Sequence, residues 1–295
     1  MSKPTIGFIG LGLMGGAMVG RLQDQGYDLV VIANRTRTYV DRAVERGAVE
    51  VTTAKAVAEG SDIVMLCMDT SDNVEARMRG DDGVIAGLKP GAVIIDFGTS
   101  LPASTKALGA EVAAVGGTML DCPIGRTPMH AKDGLLNLMG SGNKAAFDKV
   151  KPVLDDLGEN VFHLGALGTG HTIKLINNFY AQACANAMAE SYAIADVMGV
   201  DRQGLYDVMS AGPLKSGMMD FVTAYALQGD DQQLAFSIKN AAKDVGYYAQ
   251  MCDDAGVQSM MSGSTLDSLR GSIDAGRGEE MVPLQVDFFA DRFKG

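Results

Sequence analysis

The sequence predicts an α/β chain in two parts: an N-terminal doubly wound sheet followed by an all-helical C-terminal domain. Three observations carry this. Short, continuously apolar runs alternate with helix-like segments over the first 165 residues; a glycine-spaced turn joins the first run to the first helix; and β-like runs stop beyond that point. Alternation of this kind implies βαβ units and a mostly parallel sheet, whose strands are buried on both faces and therefore apolar throughout. The 295 residues suffice for two cores.

In chain order, TIGFIG (5–10), DLVVIA (28–33), DIVMLCM (62–68), AVIIDFG (92–98) and GTMLDCP (117–123) read as strands. LLNLMG (135–140) and NVFHLG (160–165) add two more. From Thr169 to about Met198 the chain reads as one long proline-free helix, rich in alanine (Ala181, Ala183, Ala185, Ala187, Ala189). Later helices are expected over 201–211, 215–228, 234–255, 258–275 and 282–292. The domains are accordingly 1–165 and 166–295. The alanine stripe suits intersubunit packing or burial within one subunit equally.

Bulk properties exclude several functions. Apolar residues make up 47% and charged residues 21%, which argues against disorder. The formal net charge of −11 leaves no basic stripe for nucleic acid, so any anionic ligand must meet a few local cations. The four cysteines, Cys67, Cys122, Cys184 and Cys252, form no C-x-x-C pair, so neither a metal site nor a disulfide framework is expected. No basic leader and no apolar run of about 18 residues is seen, so the expectation is a soluble cytoplasmic protein without a membrane span.

The opening TIGFIGLGLMG contains Gly10, Gly12 and Gly15 as G-x-G-x-x-G between a strand and a helix, the context that gives the pattern meaning. Gly10 allows the tight turn, Gly12 lets backbone approach a pyrophosphate, and Gly15 lets helix pack on strand. Leu11, Leu13 and Met14 supply the backbone between them, and the helix N-terminus favours phosphate. This is a Rossmann-type dinucleotide cradle.

An NAD site places an acidic residue about 20 residues beyond the glycines. Here Ala33 takes that position, followed by Asn34, Arg35 and Thr36. A guanidinium binds a 2′-phosphate in a forked geometry and a carboxylate repels it, so NADPH is expected over NADH. The alternative is that Arg35 and Arg37 only solvate a loop.

GTGHTIKLINN (168–178) places Lys174, Asn177 and Asn178 at i, i+3 and i+4, on one helical face. Such a face suits a pocket where an ammonium protonates a carbonyl oxygen and amides hold oxygens. A solvated polar face has the same spacing.

Together, GFIGLGLMGGAM (7–18), DCPIGRTPMHAKDG (121–134), GTGHTIKLINN and AAKDVGYYA (241–249) resemble the β-hydroxyacid dehydrogenase family over essentially the whole chain. The resemblance implies Lys174 as catalytic acid/base, Asn178 as the substrate-orienting amide, and Lys243 near substrate and nicotinamide. It also implies Met68 and Thr99 as cofactor contacts, and a homodimer or homotetramer.

One stretch departs from the family. Relatives read D-x-P-V-S-G-G; this chain reads D-C-P-I-G-R-T-P, with Gly125 for the serine and Arg126 for the first glycine. That loop, followed by Ala131 and Gly134, is similar to a sulfolactaldehyde-reductase branch that also reduces succinic semialdehyde. The resemblance there implies that the arginine and Lys243 bind a sulfonate. Three acceptor oxygens that stay anionic suit a five-donor guanidinium. Gly125 and Thr127 flank it as further substrate contacts. The alternative is that Arg126 pairs with Asp121 or Asp133 to pin the loop. His130 reads as a loop or substrate-edge residue and His163 as structural, while His171 is placed to tune the site.

The expected function is NADPH-dependent interconversion of a short anionic aldehyde and its hydroxy acid or sulfonate, 3-sulfolactaldehyde foremost. Alternatives on the same fold are succinic semialdehyde, tartronate semialdehyde and 3-hydroxyisobutyrate. A non-catalytic NADP-binding sensor and an imine reductase are rivals that Lys174 argues against.

Overall fold

The computed structural model describes residues 3–34 and 37–294. The chain divides into two units, Met1–Lys174 and Leu175–Gly295, and the division falls inside one helix.

In the first unit the parallel strands are β1 (Ile6–Ile9), β2 (Leu29–Ile32), β3 (Val49–Val51), β4 (Ile63–Leu66), β5 (Val93–Asp96) and β6 (Thr118–Asp121). They lie side by side in the order β3-β2-β1-β4-β5-β6. Order reverses beside β1, where a doubly wound sheet opens its ligand crevice. The strands alternate strictly between two cores. Ile6, Phe8, Val31, Met65 and Ile95 join one, while Ile9, Val30, Ile32, Val64, Leu66 and Ile94 join the other. Hence β1, β2, β4, β5 and β6 are apolar at nearly every position, the feature that made them visible in the sequence.

Three more strands extend the sheet: β7 (Ile124–Gly125), β8 (Leu136–Gly142) and β9 (Gly158–His163). β8 runs antiparallel to β6 at one end and to β7 at the other, and β9 pairs parallel with β8. Among the described residues, two of the nine strands, β3 and β7, are not predicted above. β3 has three residues and an exposed face, and β7 has two, so neither has an apolar run to reveal it.

Among the described residues, seven α-helices lie wholly in the first unit: α1 (Leu13–Asp24), α2 (Thr38–Glu45), α3 (Ala54–Glu59), α4 (Ser71–Met78), α5 (Pro102–Ala114), α6 (Pro128–Asp133) and α7 (Lys144–Leu157). The long helix α8 (Thr169–Val197) starts in this unit and continues into the second. There α9 (Arg202–Ser210), α10 (Gly217–Gln228), α11 (Ile238–Asp254), α12 (Ser262–Asp274) and α13 (Gln285–Phe293) match the predicted helices. Ala185, Ala189, Tyr192 and Ala193 of α8 are buried in this helical core with Val245, Leu269 and Val286. Part of the alanine stripe therefore packs within the chain. Among the described residues no helix is long and apolar enough to cross a membrane.

Candidate active site

The glycine turn has the geometry its spacing implies. Gly10 sits at φ +100°, and a Cβ there would lie 2.3 Å from the Cys67 carbonyl oxygen. A Cβ on Gly15 would lie 2.0 Å from the Gly10 oxygen, so both positions require glycine. A Cβ on Gly12 would meet nothing within 4 Å, so that side of the helix N-terminus is open. Gly12 is the N-cap of α1 and makes no side-chain cap. Gly10, Leu11, Gly12, Asn34, Cys67 and Met68 line a cavity of about 290 Å³. An open glycine cap beside a cleft at the strand-order reversal fits a dinucleotide pyrophosphate.

At the far end of β2, Asn34 lines the same cavity and accepts a hydrogen bond from Arg77 Nη2 of α4 at 3.2 Å. Arg77 carries no sequence signal that separates it from any other helical arginine. Arg35 and Thr36, expected at the 2′-phosphate, lie outside the described residues. Arg37 is committed to ion pairs with Asp41 (2.8 Å) and Glu50 (3.0 Å), which hold the Glu50 carboxyl below its usual range.

Burial raises the Cys67 thiol to about 12, with the Asp96 carboxylate adding to the effect. It is therefore a neutral wall of the cleft. Thr99 lies on the turn after β5, a turn held by Asp96: Oδ1 accepts the Gly98 N–H at 2.8 Å and Oδ2 the Ser100 hydroxyl at 2.8 Å.

The N–H groups at the start of α8 are met from the sheet. Asp121, at the end of β6 and fully buried, accepts from Gly168 N at 2.7 Å and His171 N at 2.8 Å. Ser141 of β8 accepts from Gly170 N at 2.9 Å and itself donates to Asp121. A carboxylate at a helix N-terminus gains charge-assisted bonds and a favourable dipole, so the helix is pinned to the sheet at its first turn. One turn on, Lys174 Nζ donates to the Ile124 carbonyl oxygen at 2.7 Å. Ile124 lies in β7, immediately before Gly125, Arg126 and Thr127. The sheet thus sets both the lysine and the loop. Asp121 was part of the motif quoted above, but its capping role spans 47 and 50 residues in sequence, so no local pattern reveals it.

Arg126 is the one described non-glycine residue with positive φ, at +78°. Its Nη1 donates to the Leu135 carbonyl oxygen at 2.7 Å and lies 2.6 Å from Glu159 Oε2. The loop-pinning alternative named Asp121 or Asp133; the carboxylate it pairs with is Glu159 of β9. Asp121 is withdrawn into the α8 cap. The Thr127 hydroxyl lies 2.7 Å from His130 Nδ1. His163 packs its ring on Phe147 at 4.9 Å and lies 3.0 Å from the Gly142 oxygen, a structural placement as expected.

In the second unit, Asn178 is buried and Asn177 exposed, so the two amides do not share one environment. Asn178 Nδ2 donates to Asp244 Oδ2 at 2.6 Å, and its Oδ1 accepts from Asn177 at 3.1 Å. Asp244, itself buried, therefore fixes which way the Asn178 amide faces. Lys243 Nζ lies 3.0 Å from Asp244 Oδ1 and 5.3 Å from the Tyr247 ring centre. Asp244 belongs to the quoted AAKDVGYYA segment, where only the lysine was singled out.

Comparison with known proteins agrees with this fold. Residues 5–165 match the NAD binding domain of 6-phosphogluconate dehydrogenase, and residues 168–280 match the NAD-binding domain of NADP-dependent 3-hydroxyisobutyrate dehydrogenase. The chain is 30% identical to 3-sulfolactaldehyde reductase of Escherichia coli, over 94% of this chain and 92% of that one. It is 31% identical to 2-hydroxy-3-oxopropionate reductase of Escherichia coli over 73% of each. A solved 3-hydroxyisobutyrate dehydrogenase of Mycobacterium tuberculosis superposes with a TM-score of 0.84 at 21% identity, covering 97% of this chain and 99% of that one.

Proposed function

This chain belongs to the 3-hydroxyisobutyrate dehydrogenase-like β-hydroxyacid dehydrogenase family of NAD(P)-dependent enzymes acting on CH–OH groups, and we propose that it reduces a short anionic aldehyde, 3-sulfolactaldehyde foremost, with NADPH preferred. The observation that carries the reading is Lys174 Nζ at 2.7 Å from Ile124 O, an ammonium held beside the loop that departs from the family pattern.

Gly10, Gly12 and Gly15 would hold the pyrophosphate of the dinucleotide, whose reduced nicotinamide would supply a hydride for the aldehyde carbon. Every other part falls to the chain. Lys174 spends one N–H on Ile124 O, which orients the ammonium, and keeps its proton for the forming alkoxide. Asn178, with its amide set by Asp244, presents its remaining N–H to a substrate oxygen. Gly125, Arg126 and Thr127, with Lys243, are assigned to the anion; Thr99 and Met68 are assigned to the nicotinamide end of the cofactor. The contacts of Arg126 with Leu135 O and Glu159 both use Nη1, so the rest of its fork is assigned to the sulfonate. The 30% identity to 3-sulfolactaldehyde reductase supports that substrate.

A second reading rests on the Arg126–Glu159 pair itself. If that pair is a strut, loop backbone grips the anion and the substrate is a carboxylate: tartronate semialdehyde, succinic semialdehyde or 3-hydroxyisobutyrate. A side-by-side assay of NADPH oxidation with sulfonate and carboxylate aldehydes decides. A kcat/KM for 3-sulfolactaldehyde at least tenfold above the carboxylates is expected, and the reverse order establishes the second reading. A homodimer or homotetramer is also proposed, supported by the exposed apolar α8 residues Ile173, Ile176 and Tyr180. A monomeric mass by light scattering would reject it.

A further inference from the structure

Two carboxylates stand directly opposite each other at the ends of neighbouring strands: Asp96 of β5 is in register with Asp121 of β6. Both are fully buried. Like charges so placed repel unless donors meet them. Each has donors, and they come from two different parts of the proposed site. Asp96 is held by the Gly98 N–H and the Ser100 hydroxyl, on the turn that carries Thr99. Asp121 is held by the Gly168 and His171 N–H groups, on the helix start that carries Lys174.

The imidazole of His171 lies between the two. Its Nε2 is 3.7 Å from Asp96 Oδ2 and its Nδ1 is 3.9 Å from Asp121 Oδ2, with the ring fully buried. Nδ1 also meets the Thr105 hydroxyl of α5 at 2.8 Å. That hydroxyl in turn donates to Leu101 O, where α5 begins just after the Thr99 turn. The ring is thus in contact with the carboxylate that shapes the cofactor turn, the carboxylate that caps the lysine helix, and the helix between them. Buried contacts of this kind leave little room for independent movement.

From this we infer that His171 is a positioning residue that sets the spacing between the Thr99 turn and Lys174, the inference resting on the roles proposed above for those two residues. Hydride and proton must reach the same carbonyl group from the two sides that these segments supply. A displacement of about 1 Å between them is enough to cost about a hundredfold in rate. The ring does not touch substrate, and its effect passes entirely through the two segments.

The test uses the full chain with His171→Ala and Thr105→Val, the second deleting only the hydroxyl that meets Nδ1. Two measurements are made on each: amide hydrogen exchange, and steady-state kinetics with 4-deuterated NADPH and 3-sulfolactaldehyde. The expected result is faster exchange at both Gly98–Ser100 and Gly168–His171. With it come a kcat lower by about 10–100-fold, an NADPH KM within about threefold of wild type, and a larger deuterium isotope effect. A merely structural role would not move the isotope effect. Exchange that rises at one segment or neither, or an unchanged kcat and isotope effect, overturns the inference. If wild type reduces none of the aldehydes, the substrate reading fails and the exchange result alone decides: a paired rise upholds the link. If His171→Ala does not fold, Thr105→Val and His171→Asn give the same readouts.

Discussion

The guanidinium of Arg126 reaches the carboxylate of Glu159 on β9 at 2.6 Å, from a backbone held in the left-handed region. A non-glycine residue there bears a backbone cost of about 1 kcal/mol, and a half-exposed ion pair returns at most about that much. Stability alone therefore does not account for an arginine where glycine fits better. Arg126→Gly is expected to leave Tm within a few degrees of wild type and to raise the KM for the anionic aldehyde at least tenfold. Calorimetry and steady-state kinetics check this; an unchanged KM removes Arg126 from the anion site.

Glu159 then acts as a rival to the substrate anion. Glu159→Gln keeps the shape and removes the charge, so it is expected to lower the KM for 3-sulfolactaldehyde severalfold with little change in kcat. If Glu159 is instead a strut that orders the arginine, the same variant raises KM. The direction of the change separates the two readings.

Lys174 is predicted to be the proton donor. Lys174→Ala should lower kcat by about 10²–10⁴-fold, the range for loss of a positioned acid, with the NADPH Kd within about threefold. Lys174→Ala that still turns over at more than a tenth of the wild-type rate would end that assignment. Fluorescence titration of NADPH and single-turnover kinetics measure the two quantities separately.

The sequence revealed much of this fold because strands buried on both faces announce themselves. β1, β2, β4, β5 and β6 are apolar at nearly every position, and five of the later helices are bounded by turns rich in glycine, aspartate and proline. β3 and β7 are too short for a pattern and are recognised only through their partners. Within the candidate site, residues set by local spacing were legible: the glycines of the cradle, Lys174 and Asn178. Residues that act across the fold were not. Asp121 capping α8, Asp244 orienting Asn178 and Glu159 holding Arg126 join positions 33 to 66 residues apart, and nothing in the neighbouring sequence marks them.

Asp121 supplies a stability prediction. Its carboxylate accepts from two backbone N–H groups and from the Ser141 hydroxyl in a fully buried setting. Asp121→Asn replaces an acceptor oxygen by a donor that faces donors already present. A loss of about 2–4 kcal/mol is expected, in the range for an unsatisfied buried polar group within a charged network. Denaturant unfolding measures it, and a change under about 0.5 kcal/mol would show that the helix start is capped some other way.

Cys67 makes the cofactor cleft readable by chemistry. With its thiol raised to about 12, thiolate falls to roughly 10⁻⁴ of the population at pH 8, against a few tenths for an ordinary cysteine. The group is neutral below its raised pKa and charges only as pH climbs to it. Alkylation by iodoacetamide at Cys67, followed by peptide mass spectrometry, is expected to be slow at pH 8 and to rise about tenfold per pH unit. Because Cys67 lines the cavity with Gly10 and Gly12, saturating NADPH should slow it further. Rapid labelling at pH 8, or labelling indifferent to NADPH, would contradict this placement.

Cofactor preference turns on the end of β2. Ala33 is half-buried where an NAD site places its carboxylate, and Asn34 beside it lines the cavity. Ala33→Asp puts a negative charge near the ribose. Against a 2′-phosphate about 4 Å away, repulsion reaches about 4 kcal/mol per charge pair at an effective dielectric of 20, and exposure at the cleft mouth reduces it. Against an unphosphorylated ribose, the same carboxylate accepts hydroxyl hydrogen bonds. The KM for NADPH is therefore expected to rise by at least tenfold while that for NADH falls. Raising the salt concentration should narrow the NADPH effect, since screening weakens an exposed charge pair. Equal shifts for both cofactors would place the ribose elsewhere, and a wild-type enzyme that already favours NADH would mean that the Asn34 end of the cleft does not select for the 2′-phosphate.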